Sequence, residues 1–273
     1  MIVGSETTHT GVDVGSVERA PLPQRWLGKT GEQVPALGMG TGPGGLGMED
    51  EKAIALYERA IDLGVTYFDT APGYRRGQTQ LGQVMRRRRD EVFLVTKTPT
   101  SRADEALKIM EKSLRDLQTD HADLTYVLSL GNLDVEQVLA GDGALAGLRE
   151  AQRRGWTRYI GVTAHNMPWK VARVLREADV DMAMAALNFV DRHTYNFEEA
   201  VLPLAAERGV GVAAMKVYGG AQDMRYDRPK PSALETHGSH YHQRALQYAL
   251  SLPGVAIAVI GMYREEEMLQ NVE

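Results

Sequence analysis

The chain has 273 residues, of which 43% are hydrophobic and 25% charged, and its formal net charge is −5. That length suits one α/β barrel of about 250 residues, and the negative charge gives no general attraction for nucleic acid or an anionic membrane. The sequence contains no cysteine, which excludes disulfides, thiolate nucleophiles and cysteine metal sites. No apolar run is long enough to span a bilayer.

Residues 1–25 are small and polar, without a hydrophobic period or a signal-peptide core, and we expect them to form a mobile N-terminal tail. Residues 26–273 are then expected to form one domain, with the cytoplasm as the default location. No heptad or isolated apolar stripe indicates an oligomeric state.

A strand followed by a helix recurs eight times after residue 33. Strands are expected over residues 34–40, 66–69, 92–97, 122–130, 157–163, 182–188, 211–216 and 255–261. Helices are expected over 48–63, 77–88, 103–117, 143–154, 168–177, 197–208 and 241–251, with an eighth beginning after Arg264. Strands rich in Val, Ala, Ile and Leu are typical of a parallel sheet covered on both faces. The pattern predicts a (β/α)8 TIM barrel, and because the chain ends at Glu273 its last helix is expected to be truncated.

A doubly wound open sheet is the alternative that the same alternation allows. Such a sheet usually carries G-x-G-x-x-G between its first strand and the helix that follows. The run GMGTGPGG over residues 38–45 supplies glycines, but Pro43 and the absence of an immediate helix break that pattern. The barrel is therefore the favoured architecture.

Three chemically active side chains lie close together in the stretch 65–98. Asp69 and Lys97 each end a buried strand, where a charge has no packing role, and Tyr74 follows the turn between them. The ammonium is expected to lower the pKa of the phenol, and the carboxylate to keep the lysine charged and oriented. Such a trio can protonate a carbonyl oxygen while a hydride reaches the carbon.

Each residue of the trio also has a structural interpretation. Asp69 could cap the turn after its strand, since Asp favours turns, and Tyr74 could pack over the barrel mouth. Lys97 is harder to explain in this way, because a buried lysine seldom lacks a partner.

The segments FDTAPGY (68–74) and FLVTKT (93–98) resemble the aldo-keto reductases. This family has a nicotinamide-dependent active site built from Asp, Tyr, Lys and His, and the resemblance assigns the first three roles to Asp69, Tyr74 and Lys97. The histidine ends a strand that reads roughly D-L-x-x-x-H in the family. The corresponding segment here runs from Asp123 and ends at Leu128.

Leu128 removes a hydrogen-bond donor from the expected site and makes it more apolar. Loss of one orienting donor reduces rates by about 10²–10³. His165 follows the fifth strand at the same rim and is our candidate for the missing donor. The alternative is a histidine that lies at the surface or behind the site.

The resemblance also implies residues that hold the nicotinamide end of the cofactor. IGVTAH (160–165) resembles the family's I-G-V-S-N segment, with Thr163 as the hydroxyl and Ala164 in place of the asparagine. LNFVDR (187–192) resembles Y-N-L-L-D-R, whereas Met184 replaces the usual glutamine. Met215 stands where many members have an aromatic residue beneath the nicotinamide, and Lys216 could bind a pyrophosphate.

The segment VIGMYR (259–264) resembles the family's clamp on the adenosine end. A helix N-terminus offers N–H groups to phosphate, and Arg264 could bind the 2′-phosphate of NADP. Arg264 leads us to expect NADP. Three glutamates follow it, with Glu267 at a commonly basic position, and they leave NAD as the alternative. The full set of expected cofactor-binding residues is Gly40, Thr41, Asp69, Thr163, His165, Asn188, Met215, Lys216, Gly261, Arg264 and Asn271.

A metal site is not expected. His237, His240 and His242 lie close together in the sequence but lack an acidic or cysteine partner at fixed spacing. They adjoin a long connection over 218–240, which we interpret as a loop that faces the substrate.

The first functional hypothesis is NAD(P)H-dependent reduction of a small aldehyde or ketone, with alcohol oxidation as the reverse reaction. Leu128, Ala164 and Met184 favour a second hypothesis, a nucleotide-binding sensor or interaction subunit with little turnover. A third hypothesis retains the scaffold but uses Tyr74 and Lys97 for isomerase or lyase chemistry. The sequence does not identify the substrate.

Overall fold

The structure, a computed structural model, describes residues 20–219 and 240–273. Its strands are β1 (Gln24–Trp26), β2 (Gln33–Pro35), β3 (Leu37–Gly40), β4 (Tyr67–Asp69), β5 (Phe93–Thr98), β6 (Ala122–Val127), β7 (Thr157–Ala164), β8 (Met182–Ala186), β9 (Gly211–Met215) and β10 (Val255–Gly261). Strands β3 to β10 are parallel and close into a barrel in which β10 pairs with β3. The predicted (β/α)8 barrel is confirmed, and the open sheet is excluded.

The helices surround this barrel. They are α1 (Gly42–Gly47), α2 (Asp50–Asp62), α3 (Gly77–Arg88), α4 (Ala103–Asp116), α5 (Val135–Leu139), α6 (Ala144–Arg153), α7 (Pro168–Glu177), α8 (Phe197–Ala200), α9 (Leu202–Glu207), α10 (His240–Ser251) and α11 (Glu265–Val272). In the described ranges, no helix combines the length and the apolar character needed to cross a membrane.

A small hairpin precedes the barrel and corrects two expectations. Strand β1 pairs antiparallel with β2, so Gln24 and Arg25 belong to regular structure and not to the expected tail. The expected strand over 34–40 is divided at Ala36, whose N–H donates to Pro23 O at 2.8 Å. The break at Ala36 separates β2, which pairs with β1 in the hairpin, from β3, which belongs to the barrel. A three-residue strand such as β1 carries too little alternation to be recognised from the sequence.

Two helical segments also differ from expectation. Helix α1 begins directly after β3, although glycine and proline made an immediate helix there unexpected. The expected helix over 197–208 is divided at Val201 into α8 and α9, with a proline in the first turn of α9. Proline is tolerated in a first helical turn but cannot donate a backbone hydrogen bond in a helix interior.

The barrel interior is packed with side chains from alternate strand positions. Tyr67 and Tyr126 are fully buried there, and their hydroxyl oxygens are 3.4 Å apart. A Cβ on Gly38 would lie 2.9 Å from the Tyr67 ring, and a Cβ on Gly161 would lie 2.7 Å from the Tyr126 ring. These two glycines make room for the two rings beneath the barrel mouth.

Helix α1 packs against the loop that carries Tyr74. A Cβ on Gly45 would lie 1.9 Å from Tyr74 O and 2.4 Å from Gly77 N, and Gly45 O accepts a hydrogen bond from Arg76 N at 3.4 Å. Only glycine permits this approach of helix to loop. The glycine-rich segment therefore positions the β4–α3 loop.

We predict that Gly45→Ala destabilises the protein by about 1–3 kcal/mol and lowers its turnover, because the new methyl group must displace the Tyr74 loop. Gly47→Ala is the matched control in the same helix, since its Cβ would only make ordinary contact with the Tyr263 ring at 3.6 Å. Urea unfolding and steady-state kinetics of both variants test this. Equal effects of the two substitutions would contradict the assigned role of Gly45.

Candidate active site

Asp69 and Lys97 form a buried ion pair at the mouth of the barrel. Asp69 is the last residue of β4 and Lys97 the next-to-last residue of the neighbouring β5, and they are only 4% and 2% exposed. Lys97 Nζ donates to Asp69 Oδ1 and to the Thr70 carbonyl oxygen, the latter at 2.9 Å. Two charges buried in this way are stable only when paired and hydrogen-bonded. The structure thus brings together the carboxylate and the ammonium that the sequence predicted.

Tyr74 lies beside this ion pair. Lys97 Nζ is 5.4 Å from the centroid of the Tyr74 ring, which is half-buried in the β4–α3 loop. Tyr74 N–H donates to Ala71 O at 3.0 Å, and Gly77 N–H donates to Tyr74 O at 2.8 Å. These bonds close a tight turn that presents the ring at the mouth. The predicted trio is therefore assembled.

The expected lowering of the Tyr74 pKa is wrong. Burial raises the pKa of the phenol, and the Asp69 carboxylate raises it further. Burial also raises the pKa of Asp69 and lowers that of Lys97, while the attraction between the two opposes both shifts. The phenol is consequently protonated at neutral pH and holds a proton that it can donate.

Leu128 occupies the first position after β6. It is half-buried, and its N–H donates to Thr98 O at 3.0 Å, which places it next to the end of β5. An apolar side chain therefore stands beside the strand that carries Lys97.

His165 follows β7 immediately and is half-buried. Burial and the positive charges of Lys216 and Lys97 lower its pKa to about 4. The imidazole is accordingly neutral at physiological pH, and it lies near the ammonium groups of Lys216 and Lys97.

Thr163, Met215 and Lys216 lie at the carboxyl ends of β7 and β9. Thr163 is fully buried, and its hydroxyl has no hydrogen-bond partner within the described part of the chain. Met215 is buried and ends β9. Lys216 follows with a φ of 55°, and burial together with Lys97 lowers its pKa to about 8. A buried hydroxyl without a partner fits a ligand amide, and a lysine that is still largely protonated at neutral pH fits a phosphate.

Asn188 and Thr41 have structural hydrogen bonds of their own. The Asn188 amide donates to Asp191 and to Lys216 O, and its oxygen accepts from Val190 N and Asp191 N. The N–H and the hydroxyl of Thr41 both donate to Asp69 O, at 2.9 and 3.1 Å. Asn188 therefore supports the ends of β8 and β9, and Thr41 holds the backbone of Asp69.

The seam between β10 and β3 is built from glycines. Gly261 pairs with Gly40, which in turn pairs with Asp69. A Cβ on Gly261 would lie 2.7 Å from the Pro43 ring, so no side chain fits at this position. The glycine at position 261 thus makes room for the Pro43 ring of α1, next to the strand that carries Asp69.

Arg264 is paired with Glu267. Its Nε and Nη2 lie 3.0 and 2.8 Å from Glu267 Oε1, and the other oxygen of Glu267 accepts from Tyr263 N at 2.7 Å. Asn271 accepts a hydrogen bond from the Tyr218 hydroxyl and donates to Met262 Sδ at 3.4 Å. In the sequence, Glu267 stands out as a departure from the family pattern. Its position three residues after Arg264, at the start of a predicted helix, is a signal for this ion pair.

No group of three or more metal-binding side chains occurs within residues 20–219 and 240–273. His237, the His240 side chain and most of the expected loop over 218–240 lie outside the described residues.

This chain is similar to known oxidoreductases in sequence and in fold. Residues 36–273 match the model of the aldo/keto reductase family. The uncharacterized oxidoreductase YqkF of Bacillus subtilis is 24% identical, over 92% of this chain and 90% of the relative. Pyridoxal 4-dehydrogenase of Microbacterium luteolum is 27% identical, over 91% and 92%. The solved structure of the thermostable aldo-keto reductase Tm1743 with the inhibitor epalrestat is 26% identical, with a TM-score of 0.72 over 92% and 93%.

The chain belongs to the aldo/keto reductase family. It is an NAD(P)H-dependent oxidoreductase of the class that interconverts carbonyl compounds and alcohols.

The low pKa of His165 predicts a pH-dependent loss of stability. The unfolded chain takes up a proton near pH 6.5 and the folded chain only near pH 4, so stability falls as pH decreases between these values. His165→Phe should remove about 2 kcal/mol of the decrease in unfolding free energy between pH 8 and pH 5. His165→Gln is the control and should flatten the profile equally. Chemical denaturation at the two pH values measures both, and an unchanged slope in both variants would rule out the buried neutral imidazole.

Proposed function

We propose that Asp69, Tyr74 and Lys97 carry out the reduction of a small-molecule aldehyde or ketone. The observation that carries this assignment is the buried Lys97 ammonium, paired with Asp69 and 5.4 Å from the centroid of the Tyr74 ring. A buried lysine with one carboxylate partner and one tyrosine beside it serves proton transfer better than packing.

Each side chain has a distinct role in this proposal. Tyr74 donates its proton to the carbonyl oxygen, and the nearby Lys97 ammonium stabilises the phenolate that remains. Asp69 keeps Lys97 charged and fixes its position. Bound nicotinamide supplies the hydride to the carbonyl carbon. In the reverse reaction Tyr74 must first lose its proton, and its raised pKa favours oxidation at alkaline pH.

We assign the cofactor to the rim of the barrel formed by the carboxyl ends of β7, β9, β10 and β3. Thr163 would bind the nicotinamide amide through its buried hydroxyl, with Met215 beneath the ring and Lys216 at the pyrophosphate. Gly40 and Gly261 would line the seam through which the dinucleotide passes. Arg264 and Asn271 would meet the adenosine end. NADP is the proposed cofactor, and the pairing of Arg264 with Glu267 opposes binding of its 2′-phosphate.

His165 would act in place of the histidine that Leu128 replaces. It leaves the strand next to β6, and its neutral imidazole carries one N–H that can donate to the substrate oxygen. The second candidate function, a nucleotide-binding subunit with little turnover, is favoured by the apolar Leu128 itself.

The first test is separate titration with NADPH and NADH, followed by a panel of small aldehydes and ketones. We expect nucleotide binding, oxidation of the bound cofactor, and a fall in turnover of about 10²–10⁴ in Tyr74→Phe with nucleotide affinity unchanged. Tight binding without oxidation across the panel would favour the low-turnover subunit. Failure to bind either nucleotide would remove the cofactor assignment.

Glu267 provides a test of cofactor preference. Glu267→Gln should raise the affinity for NADPH relative to NADH about three- to tenfold, because Arg264 loses its anionic partner and the 2′-phosphate loses a repulsive neighbour. Glu266→Gln removes a charge from the same helical turn and is the control. An equal change in both variants, or no change in the ratio for Glu267→Gln, would argue against recognition of the 2′-phosphate by Arg264.

His165→Phe tests the substitute donor. We expect turnover to fall about 10²-fold with nucleotide affinity retained, since a donor to the developing oxyanion is lost. Unchanged turnover number and substrate KM would end this assignment.

A further inference from the structure

Ser129 contacts His165 between the neighbouring loops that follow β6 and β7. Its Oγ is 3.4 Å from His165 Nδ1. The two residues leave the paired strands β6 and β7, in which Val127 lies opposite Val162. Ser129 is buried and directly follows Leu128, so a hydroxyl adjoins the apolar residue at the mouth.

We propose that Ser129 is a positioning residue that sets the tautomer of His165. This proposal rests on the donor role assigned to His165 above. A neutral imidazole has one N–H, and only an N–H on Nε2 leaves Nδ1 as an acceptor. Ser129 Oγ–H donates to Nδ1, which holds the ring proton on Nε2 and makes Nε2 the donor toward the mouth.

The direction of this hydrogen bond follows from the surroundings of the hydroxyl. Within residues 20–219 and 240–273, His165 Nδ1 is the one hydrogen-bond partner recorded for Ser129 Oγ. A buried hydroxyl hydrogen without an acceptor is more costly than an oxygen lone pair without a donor. The arrangement in which Nδ1–H donates to Ser129 would leave that hydrogen unpaired, and the opposite arrangement satisfies it.

The two loops are held together, which makes this contact a fixed one. Lys170 Nζ donates to Gly131 O at 3.1 Å and to Leu133 O at 2.6 Å, which joins the start of α7 to the loop after β6. A Cβ on Gly131 would lie 1.7 Å from Asn166 Oδ1, so the loop after β7 packs directly on this glycine. Ser129 and His165 lie on either side of this junction.

The ammonium groups in the region favour a single ring proton. Lys97 and Lys216 disfavour a second proton on His165, while Lys97 Nζ already donates to Asp69 and to Thr70 O. The ring therefore stays neutral, and the choice between its two nitrogens depends on the hydroxyl at Nδ1.

Nuclear magnetic resonance of the full chain labelled with ¹⁵N-histidine tests the assignment without measuring activity. His165→Phe identifies the His165 signals among those of the seven histidines. We expect the proton on Nε2 in the wild type, a shift toward the Nδ1–H tautomer in Ser129→Ala, and restoration in Ser129→Thr. A proton on Nδ1 in the wild type, or an unchanged tautomer in Ser129→Ala, would overturn the proposal.

Kinetic measurements distinguish the positioning role of Ser129 from the donor role of His165. Ser129→Ala should lower kcat about tenfold with nucleotide affinity unchanged, Ser129→Thr should restore it, and Ser129→Ala should add nothing in a His165→Phe background. Thermal unfolding of Ser129→Ala checks that the variant is folded. If the tautomer shifts but kcat does not, Ser129 still positions the ring, and it is the donor role of His165 that fails.

Discussion

The site depends on the buried ion pair between Asp69 and Lys97. Removing two charges from water is unfavourable unless each meets its partner in good geometry, and barrel closure supplies that geometry by placing β4 beside β5. Lys97 gains a second acceptor in Thr70 O, and the backbone of Asp69 is held by two hydrogen bonds from Thr41. The pair is therefore fixed at the base of the mouth, and the Tyr74 ring lies beside it.

The charges around this pair favour an anionic ligand. Lys97, Lys216 and His165 lie close together at the mouth. Burial is the main cause of the lowered pKa values of Lys216 and His165, and repulsion from the Lys97 ammonium lowers both further. A dinucleotide pyrophosphate or a developing oxyanion relieves this repulsion. Burial, with a smaller contribution from the two ammonium groups, keeps His165 neutral, and a neutral imidazole can donate one hydrogen bond.

Two residues depart from the family pattern that the sequence resembles. Leu128 stands where the resemblance implies a histidine, and His165, after the neighbouring strand, lies within reach of Ser129. Glu267 pairs with Arg264, the residue proposed to meet a 2′-phosphate. Both residues lie outside the barrel strands, Leu128 directly after β6 and Glu267 in α11.

The eight strand–helix units and the trio of Asp69, Tyr74 and Lys97 could be recognised from the amino-acid sequence alone. Both depend on local signals, namely apolar runs that end in charged residues and a turn that follows one of them. The hairpin of β1 and β2 and the helix α1 were missed because short strands and glycine-rich helices carry weak local signals. Two properties depend on tertiary structure: the hydrogen bonds that occupy the Asn188 amide and the raised pKa of Tyr74. Burial and hydrogen-bond partners come from segments far apart in the chain, and no local pattern contains them.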